Sequence, residues 1–516
     1  FWLKFQLACS LPLHRHLAMV CDGGDVSTSV IGEHVATYHG DDVTVSEAEG
    51  KGRILLAANE LEPGERIMLE YPLVEVVANK AAPAYVILTR LLEEGHLVAA
   101  PLLFYWSALC TLTAHEVKGA KCAVWPTISL GTQLQALELH APSASCETPT
   151  KSTQAVAAAL WPEGEGPNLA RFERILQVWI YNSFDQSDGD GSVGAGGVYL
   201  AASMLSHSCA PNAAWHLDEA NNFNLHARAD IEEGQEITIP YLSIADLCLP
   251  IPDRRAHLQS SKDFWCSCER CTAGVDDTRV FMCRRCGGNA CASSSSPEGG
   301  STGSDASIVC GKCGSLTAAE AEPLFTAEAQ LCRWARARPR FRNKRSEVEG
   351  DAPSAAEVLG AAESVGLLGM HWAVDEARMA VAEEAPEEEC RMLRLRAQAY
   401  KSVPFALAKY ARLSLNLGRA LACKGAEEAA LREAVEWFSR AASALLTLFG
   451  DDDPEHQEAA KLREGAMKQL MSNALTRGRA ASTQSASGDA ETSKGSAEGQ
   501  LNGRRKHKAW SPPATR

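Results

Sequence analysis

The chain has 516 residues, 46% of them hydrophobic and 22% charged, with 65 Asp and Glu against 50 Lys and Arg and a formal net charge of −15. That length calls for roughly two to four domains rather than one core, and the acidity excludes a general nucleic-acid binder, whose affinity rests on neutralising phosphates. No apolar run approaches the roughly 18 residues that a membrane span needs.

The opening FWLKFQLACSLPL lacks Met and carries a short apolar stretch broken by Pro12. It reads as a truncated end or a signal remnant, and residues 1–48 are expected to be partly disordered. Over 49–78, two β-leaning runs (Ile54–Ala57 and Ile67–Val77) flank Glu62-Pro63-Gly64-Glu65, which predicts two short strands joined by a tight connection. Residues 79–178 carry helical spacing at Val86, Leu88, Leu91 and Leu92 and again at Phe172, Ile175, Leu176 and Trp179, with a loop around 141–168. Strand-and-turn texture returns over 179–245. A Cys-rich segment fills 246–316, interrupted by a Ser/Gly-rich excursion at 293–301.

From 317 to 475 the composition turns to Ala, Leu, Glu and Arg. Leu407, Tyr410, Leu417 and Leu421, then Val435, Phe438, Leu445 and Phe449, repeat at helical spacing, and Gly450 is placed to cap. No strict 34-residue period is legible, so this is a helical bundle or a degenerate tetratricopeptide-like stack. Residues 476–516 hold few large apolar groups and are expected to be a disordered tail. Its basic run Arg504-Arg505-Lys506-His507-Lys508 reads as a solvated charge cluster or a nuclear address.

Of 18 cysteines, eight fall between Cys266 and Cys313. Short spacings in a long chain read as metal knuckles rather than disulfides, and a structural zinc needs four thiolate or imidazole ligands. Cys266, Cys268 and Cys271 supply three. Cys283-Arg-Arg-Cys286-Gly and Cys310-Gly-Lys-Cys313-Gly supply four more, for a second zinc, with Cys291 a spare. The dispersed Cys110, Cys122, Cys146, Cys248, Cys332, Cys390 and Cys423 read as buried small hydrophobes. His216, His226 and His257 show no partner pattern and read as surface or strand positions, and Tyr199 reads as core.

The stretch SHSCAPN at 206–212 followed by ADIEEGQEITIPY at 229–241 resembles the second half of a SET domain, and KGRILLAANELEPGERI at 51–67 resembles its first half. YNSF at 181–184 and CSCERC at 266–271 resemble the SMYD-like branch, in which an insertion splits the SET domain and a zinc segment and helical domain follow. The resemblance implies an α+β architecture: short β-clip-type strands, a helical insertion, a Cys-rich zinc segment and a C-terminal helical domain. It implies S-adenosylmethionine-dependent methyl transfer to a lysine amine of a protein substrate. Tyr241 matches the tyrosine at the reacting centre. Gly52, Asn182, Ser206, His207 and Phe264 match cofactor-contacting positions, Ser206 standing where asparagine is usual. Ile54 replaces a second glycine of the cofactor turn, and a β-branched residue resists positive φ. Cys209 is implied as the fourth ligand to Cys266, Cys268 and Cys271. The MYND finger common in this branch is missing, since the insertion offers only Cys110, Cys122 and Cys146. The partners expected are a protein with an exposed lysine and a peptide in a groove of the C-terminal helices. The chain is read as a monomer, cytoplasmic and/or nuclear, with no direct contact to nucleic acid or membrane. The alternative is a catalytically weak, zinc-stabilised binding module in which Ile54 and Ser206 have loosened the cofactor pocket.

Overall fold

The computed structural model describes residues 29–122, 125–142, 148–164, 166–187, 193–295, 307–338, 353–423 and 425–488. Cys146 and the basic run at 504–508 lie outside the described residues.

Residues 29–48, expected to lack much order, form a helix and a strand. Ser29 caps α1 (Val30–Tyr38), its hydroxyl accepting the Gly32 N–H at 3.0 Å. β1 (Val43–Ala48) then pairs antiparallel with β2 (Gly52–Ala57), from Val43 opposite Ala57 to Ala48 opposite Gly52. Ile31, Val35 and Val43 are buried. These elements are too short to leave a period in the sequence, and their partners stabilise them.

The two short strands expected on either side of Glu62–Glu65 form, joined by a turn in which the Glu65 N–H donates to the Glu62 carbonyl at 3.1 Å, but they do not pair with each other. β2 takes β1 as its ladder partner, while β3 (Arg66–Glu70) pairs with β9 (Phe223–Ala227), which also pairs with β8 (Ala213–Leu217). The apolar run 67–77 is two strands, broken around Pro72, which has no N–H to give a ladder. Its second part, β4 (Val74–Val77), pairs with β6 (Val193–Val198), flanked on its other side by β5 (Ser183–Ser187). A parallel pair of two-residue strands, β7 (Ser206–His207) and β10 (Thr238–Ile239), completes this half.

The insertion is helical, as the spacing predicts: α2 (Pro83–Glu93), α3 (Leu102–Cys110), α4 (Leu130–Leu137), α5 (Lys151–Leu160) and α6 (Leu169–Asn182). Two buried carboxylates hold segments together, one within the insertion and one outside it. Glu173 accepts from the Thr153 hydroxyl at 2.6 Å, the Thr150 N–H at 2.9 Å and Gln177 Nε2 at 2.7 Å, tying α5 to α6. Glu70 accepts three backbone N–H groups, from Leu200, Ala201 and Ala202, at 2.8–2.9 Å, which anchors the segment leading to SHSC. A buried carboxylate is tolerated only when its lone pairs are satisfied in this way.

Beyond the SET-like half come α7 (Ile251–Lys262), α8 (Glu269–Thr272) and a four-stranded antiparallel sheet of β11 (Val275–Met282), β12 (Asn289–Ser293), β13 (Ile308–Cys310) and β14 (Gly314–Ser315). The helical end is α9 (Ala318–Arg336), α10 (Ala355–Val365), α11 (Trp372–Glu384), α12 (Glu389–Tyr400), α13 (Leu407–Leu421), α14 (Glu428–Phe449) and α15 (Pro454–Gly488). Capping boxes open α9 (Thr317 with Glu320) and α10 (Ser354 with Glu357). α15 carries helix through 476–488, a stretch expected to lack structure. Extending a helix that already exists costs far less than nucleating one, and Ala and Arg there are good helix formers. No helix among the described residues is long and apolar enough to cross a membrane.

Candidate active site and thiol clusters

The β7–β10 pair sets Ser206 opposite Thr238 and His207 opposite Ile239, so SHSC and TIPY run side by side. His207 Nδ1 accepts the Tyr241 N–H at 2.9 Å, and the Tyr241 hydroxyl donates to the Leu205 carbonyl at 2.6 Å. The tyrosine is thus gripped at both ends by the strand that precedes Cys209. Phe264 stands 6.0 Å from the His207 ring and 6.3 Å from that of Tyr241. Tyr241 is 38% exposed as a whole residue. Burial of its phenol, and after it the charge of Glu236, push its pKa above the ordinary value, so the phenol is neutral at physiological pH. Burial also lowers His207, to about 4, which leaves it a neutral acceptor.

Tyr241, Leu205 and Asn182 face a cavity of about 570 Å³ together with Tyr181, Asp185 and Lys262. Lys262 ends α7 and donates its ammonium to the carbonyls of Ile180 (2.9 Å) and Tyr181 (3.3 Å). Burial lowers its pKa, against the pull of the Asp185 charge. Burial raises Asp185, opposed by the Ser183 hydroxyl and by Lys262.

One carboxylate ties the Gly50–Gly52 turn to Ser206 of β7, outside the residues that line the cavity. Glu236 accepts from Lys51 Nζ at 2.7 and 2.8 Å and from the Ser206 hydroxyl. Gly52 has φ +75° and open space where a Cβ would stand, so its backbone is accessible to a ligand at close range. Of the residues matched to cofactor-contacting positions only Asn182 lines the cavity; Gly52, Ile54, Ser206, His207 and Phe264 do not, and Ile54 is turned away from the turn itself. It is extended, opposite Ser46 in the β1–β2 ladder, with its side chain buried; the positive φ feared for a β-branched residue falls on Gly52 instead. The Asn182 amide is held by the carbonyls of His140 (2.7 Å) and Val178 (2.8 Å). The sequence reading passed over Lys262, Asp185 and Glu236. Only Glu236 had a signal, its place inside GQEIT.

Cys209, Cys266, Cys268 and Cys271 bring their four sulfurs within 4.8 Å of one another. All four are free thiols, and the Cys209 and Cys271 sulfurs are 3.5 Å apart. That is too long for a disulfide and close to the roughly 3.8 Å edge of a sulfur tetrahedron with zinc–sulfur bonds of about 2.3 Å. The surroundings suit thiolates: the Cys209 N–H points at Cys268 Sγ (3.4 Å) and the buried Arg254 guanidinium at Cys271 Sγ (3.7 Å). Cys283, Cys286, Cys310 and Cys313 form a second such group, with 3.6 Å between the sulfurs of Cys286 and Cys310. Gly287 and Gly314, directly after its knuckles, adopt φ +68° and +73°, the left-handed turn that such a loop requires. Cys291 lies on β12 outside the group, its thiol pushed up to about 11, first by burial. Among the dispersed cysteines Cys110, Cys248 and Cys332 are buried, Cys122 and Cys390 half-buried, and Cys423 is exposed, against expectation. No metal-ligating group is found in the insertion among the described residues. His216 and His226 lie buried and stacked on β8 and β9, and Tyr199 is core, its hydroxyl donating to the Asn221 carbonyl.

Residues 52–242 match the family model described as SET domain. Relatives named SMYD5, SMYD3 and SET5 are similar to the chain over part of their length. The chain is 37% identical over 101 residues to the protein-lysine N-trimethyltransferase SMYD5 of Danio rerio, covering 19% of this chain and 24% of that one. It is 35% identical over 143 residues to the histone-lysine N-methyltransferase SET5 of Eremothecium gossypii, covering 25% and 26%. The matches therefore span about a quarter of those relatives' length. A solved structure of Rubisco LSMT bound to AdoMet aligns over 83% of this chain and 88% of that one at 11% identity, with a TM-score of 0.26.

Proposed function

We propose that this protein is a protein-lysine N-methyltransferase that uses S-adenosylmethionine. The observation that carries the reading is the Tyr241 hydroxyl bonded to the Leu205 carbonyl, both residues lining one cavity, with the Phe264 ring 6.3 Å from that of Tyr241. S-adenosylmethionine supplies an electrophilic methyl on a sulfonium. The Gly52 backbone, Asn182, Ser206, His207 and Phe264 would hold it, and Ile54 takes no part. The residues present fit such a group: a neutral imidazole and a neutral phenol sit at the β7–β10 pair with the Phe264 ring beside them, and the open Gly52 turn is tied to Ser206 through Lys51 and Glu236. Transfer to nitrogen needs no protein nucleophile. It needs an uncharged amine held in line, and positioning alone can supply many orders of magnitude. The Tyr241 and Leu205 oxygens are the polar atoms placed to orient that amine and to accept weak C–H contacts from a polarised methyl.

The substrate is read as a protein with an exposed lysine, and the chain as a monomer of the cytosol and/or nucleus whose thiol clusters hold one zinc each. Domain limits at 49, 79, 179, 246 and 317 belong to the same reading. A second reading has one observation in its favour. The Ser206 hydroxyl is bonded to Glu236 and the Asn182 amide to two carbonyls, which leaves fewer polar groups free for a cofactor and suits a binding module. Titration calorimetry with S-adenosylmethionine, followed by incubation with labelled cofactor and cell extract, decides between them. Tyr241→Phe should lower turnover about 10²- to 10³-fold, the usual loss for one oriented donor, with cofactor affinity nearly intact. Absence of cofactor binding at millimolar concentration would favour the binding module.

A further inference from the structure

Resting on the reading of the site as a lysine methyltransferase, we propose that Lys262 is itself a methyl acceptor: the chain modifies, in cis, a lysine already seated in its own amine cleft. Lys262 is the last residue of α7, and Asp263 after it takes a left-handed conformation (φ +59°, ψ 32°) that turns the chain sharply towards Phe264. The side chain enters the cavity that holds Tyr241. Its Nζ lies 5.8 Å from the Tyr241 ring centroid and 6.0 Å from that of Tyr181, with the Ile180 and Tyr181 carbonyls as acceptors. Two aromatic faces and two carbonyls are what a site for a lysine amine is made of.

A structural lysine elsewhere in the chain is held differently. Buried Lys409 pairs with Asp375 at 2.6 Å, whereas no carboxylate among the described residues lies within ion-pair reach of Lys262. Asp185 shares the cavity at longer range. Burial without a paired charge favours the neutral amine. In the step proposed, the Nζ lone pair forms a bond to the methyl carbon. The carbon–sulfur bond breaks with its electrons going to sulfur, turning the sulfonium into a thioether. The resulting methylammonium then gives its proton to Asp185 or to water.

The test uses the full purified chain with S-adenosylmethionine and no other protein, read by peptide mass spectrometry. Expected is methylation at Lys262 at a rate per chain unchanged by dilution, abolished in Lys262→Arg and strongly reduced in Tyr241→Phe. A cofactor-free readout accompanies it: under limiting amine acylation, Lys262 should react at lower pH than exposed Lys80. An unmodified Lys262 in a preparation that methylates extract proteins overturns the proposal and leaves the enzyme reading standing. A rate that rises with chain concentration overturns the cis step. If S-adenosylmethionine does not bind at all, the enzyme reading fails and takes this proposal with it. A Lys262 acylation profile identical to that of Lys80 counts against the seated amine.

Discussion

The two thiol clusters are alike in chemistry and unlike in what they connect. The second draws all its sulfurs from one stretch, Cys283 to Cys313, and turns on its own glycines. It sits on the β11–β14 sheet, whose Phe281 packs against Phe325 of α9 and His371 beside α11. The first joins Cys209, inside the SET domain, to three cysteines 57 or more residues further on. Between those partners run α7, Lys262 and Phe264, so closing the cluster also closes one wall of the cleft. A local cluster organises its own segment; a non-local one decides where two segments meet.

The sharpest way to break this contrast is Cys209→Ser. A structural zinc contributes on the order of 10 kcal/mol to folding of small modules. The variant should therefore lose one metal per chain by elemental analysis, several kcal/mol of stability by denaturant titration, and cofactor affinity by calorimetry. Cys310→Ser should lose a metal as well, with faster hydrogen exchange confined to the β11–β14 sheet and α9. Its cofactor affinity should stay within about twofold, since distant sites add to within about 0.5 kcal/mol. Equal loss of cofactor binding in both variants would erase the distinction.

Behind the second cluster, Arg279 and Glu328 form a fully buried ion pair at 2.6 Å, with His371 3.1 Å from the same carboxylate. Burial pushes the Glu328 pKa up, but the bonds from Arg279 and His371 outweigh it and hold the group at about 2. Glu328→Leu strands the arginine and should cost about 3–5 kcal/mol in chemical denaturation, with both metals retained. Gly450, at the end of α14, has φ +83°, and a Cβ there would come within 2.6 Å of His226 Nε2 on the SET sheet. Gly450→Ala should cost about 1–3 kcal/mol, leaving metal content and cofactor affinity unchanged. The smallest effect comes from acid. Burial first, then the neighbouring His216, lower His226 to about 4 from 6.5. The unfolded chain takes up the proton first, so this stability is present above 6.5 and is lost as pH falls towards 4. Between pH 7 and pH 6 the loss should be about 0.7 kcal/mol, read as a lower melting temperature that His226→Asn flattens.

Much of the site was written in short motifs. GQEITIPY, SHSC and the paired knuckles each carry their meaning within a few residues, because turn glycines and metal ligands act locally. The helical insertion and the C-terminal helices were legible from their period. What could not be read were pairings: β2 with β1 rather than with β3, Glu70 reaching the N–H groups of residues 200–202, and Lys262 entering the cleft. Each depends on a partner that is remote in the sequence (130 residues from Glu70 to Leu200, 82 from Lys262 to Ile180) or on strands too short to declare their pairing. Cys423 was misread for the opposite reason, since exposure of a lone cysteine leaves no mark in its neighbours.

The residue types and their local spacing determined which chemistries this chain has available: a tyrosine after a strand, thiols in knuckles, glycines where the backbone must turn left-handed. The tertiary structure decided which of them meet. Backbone hydrogen bonds, buried carboxylates and a cluster spanning two segments fix distances that no linear spacing encodes, and those distances place Tyr241 and Lys262 on one cavity with Phe264 beside the tyrosine.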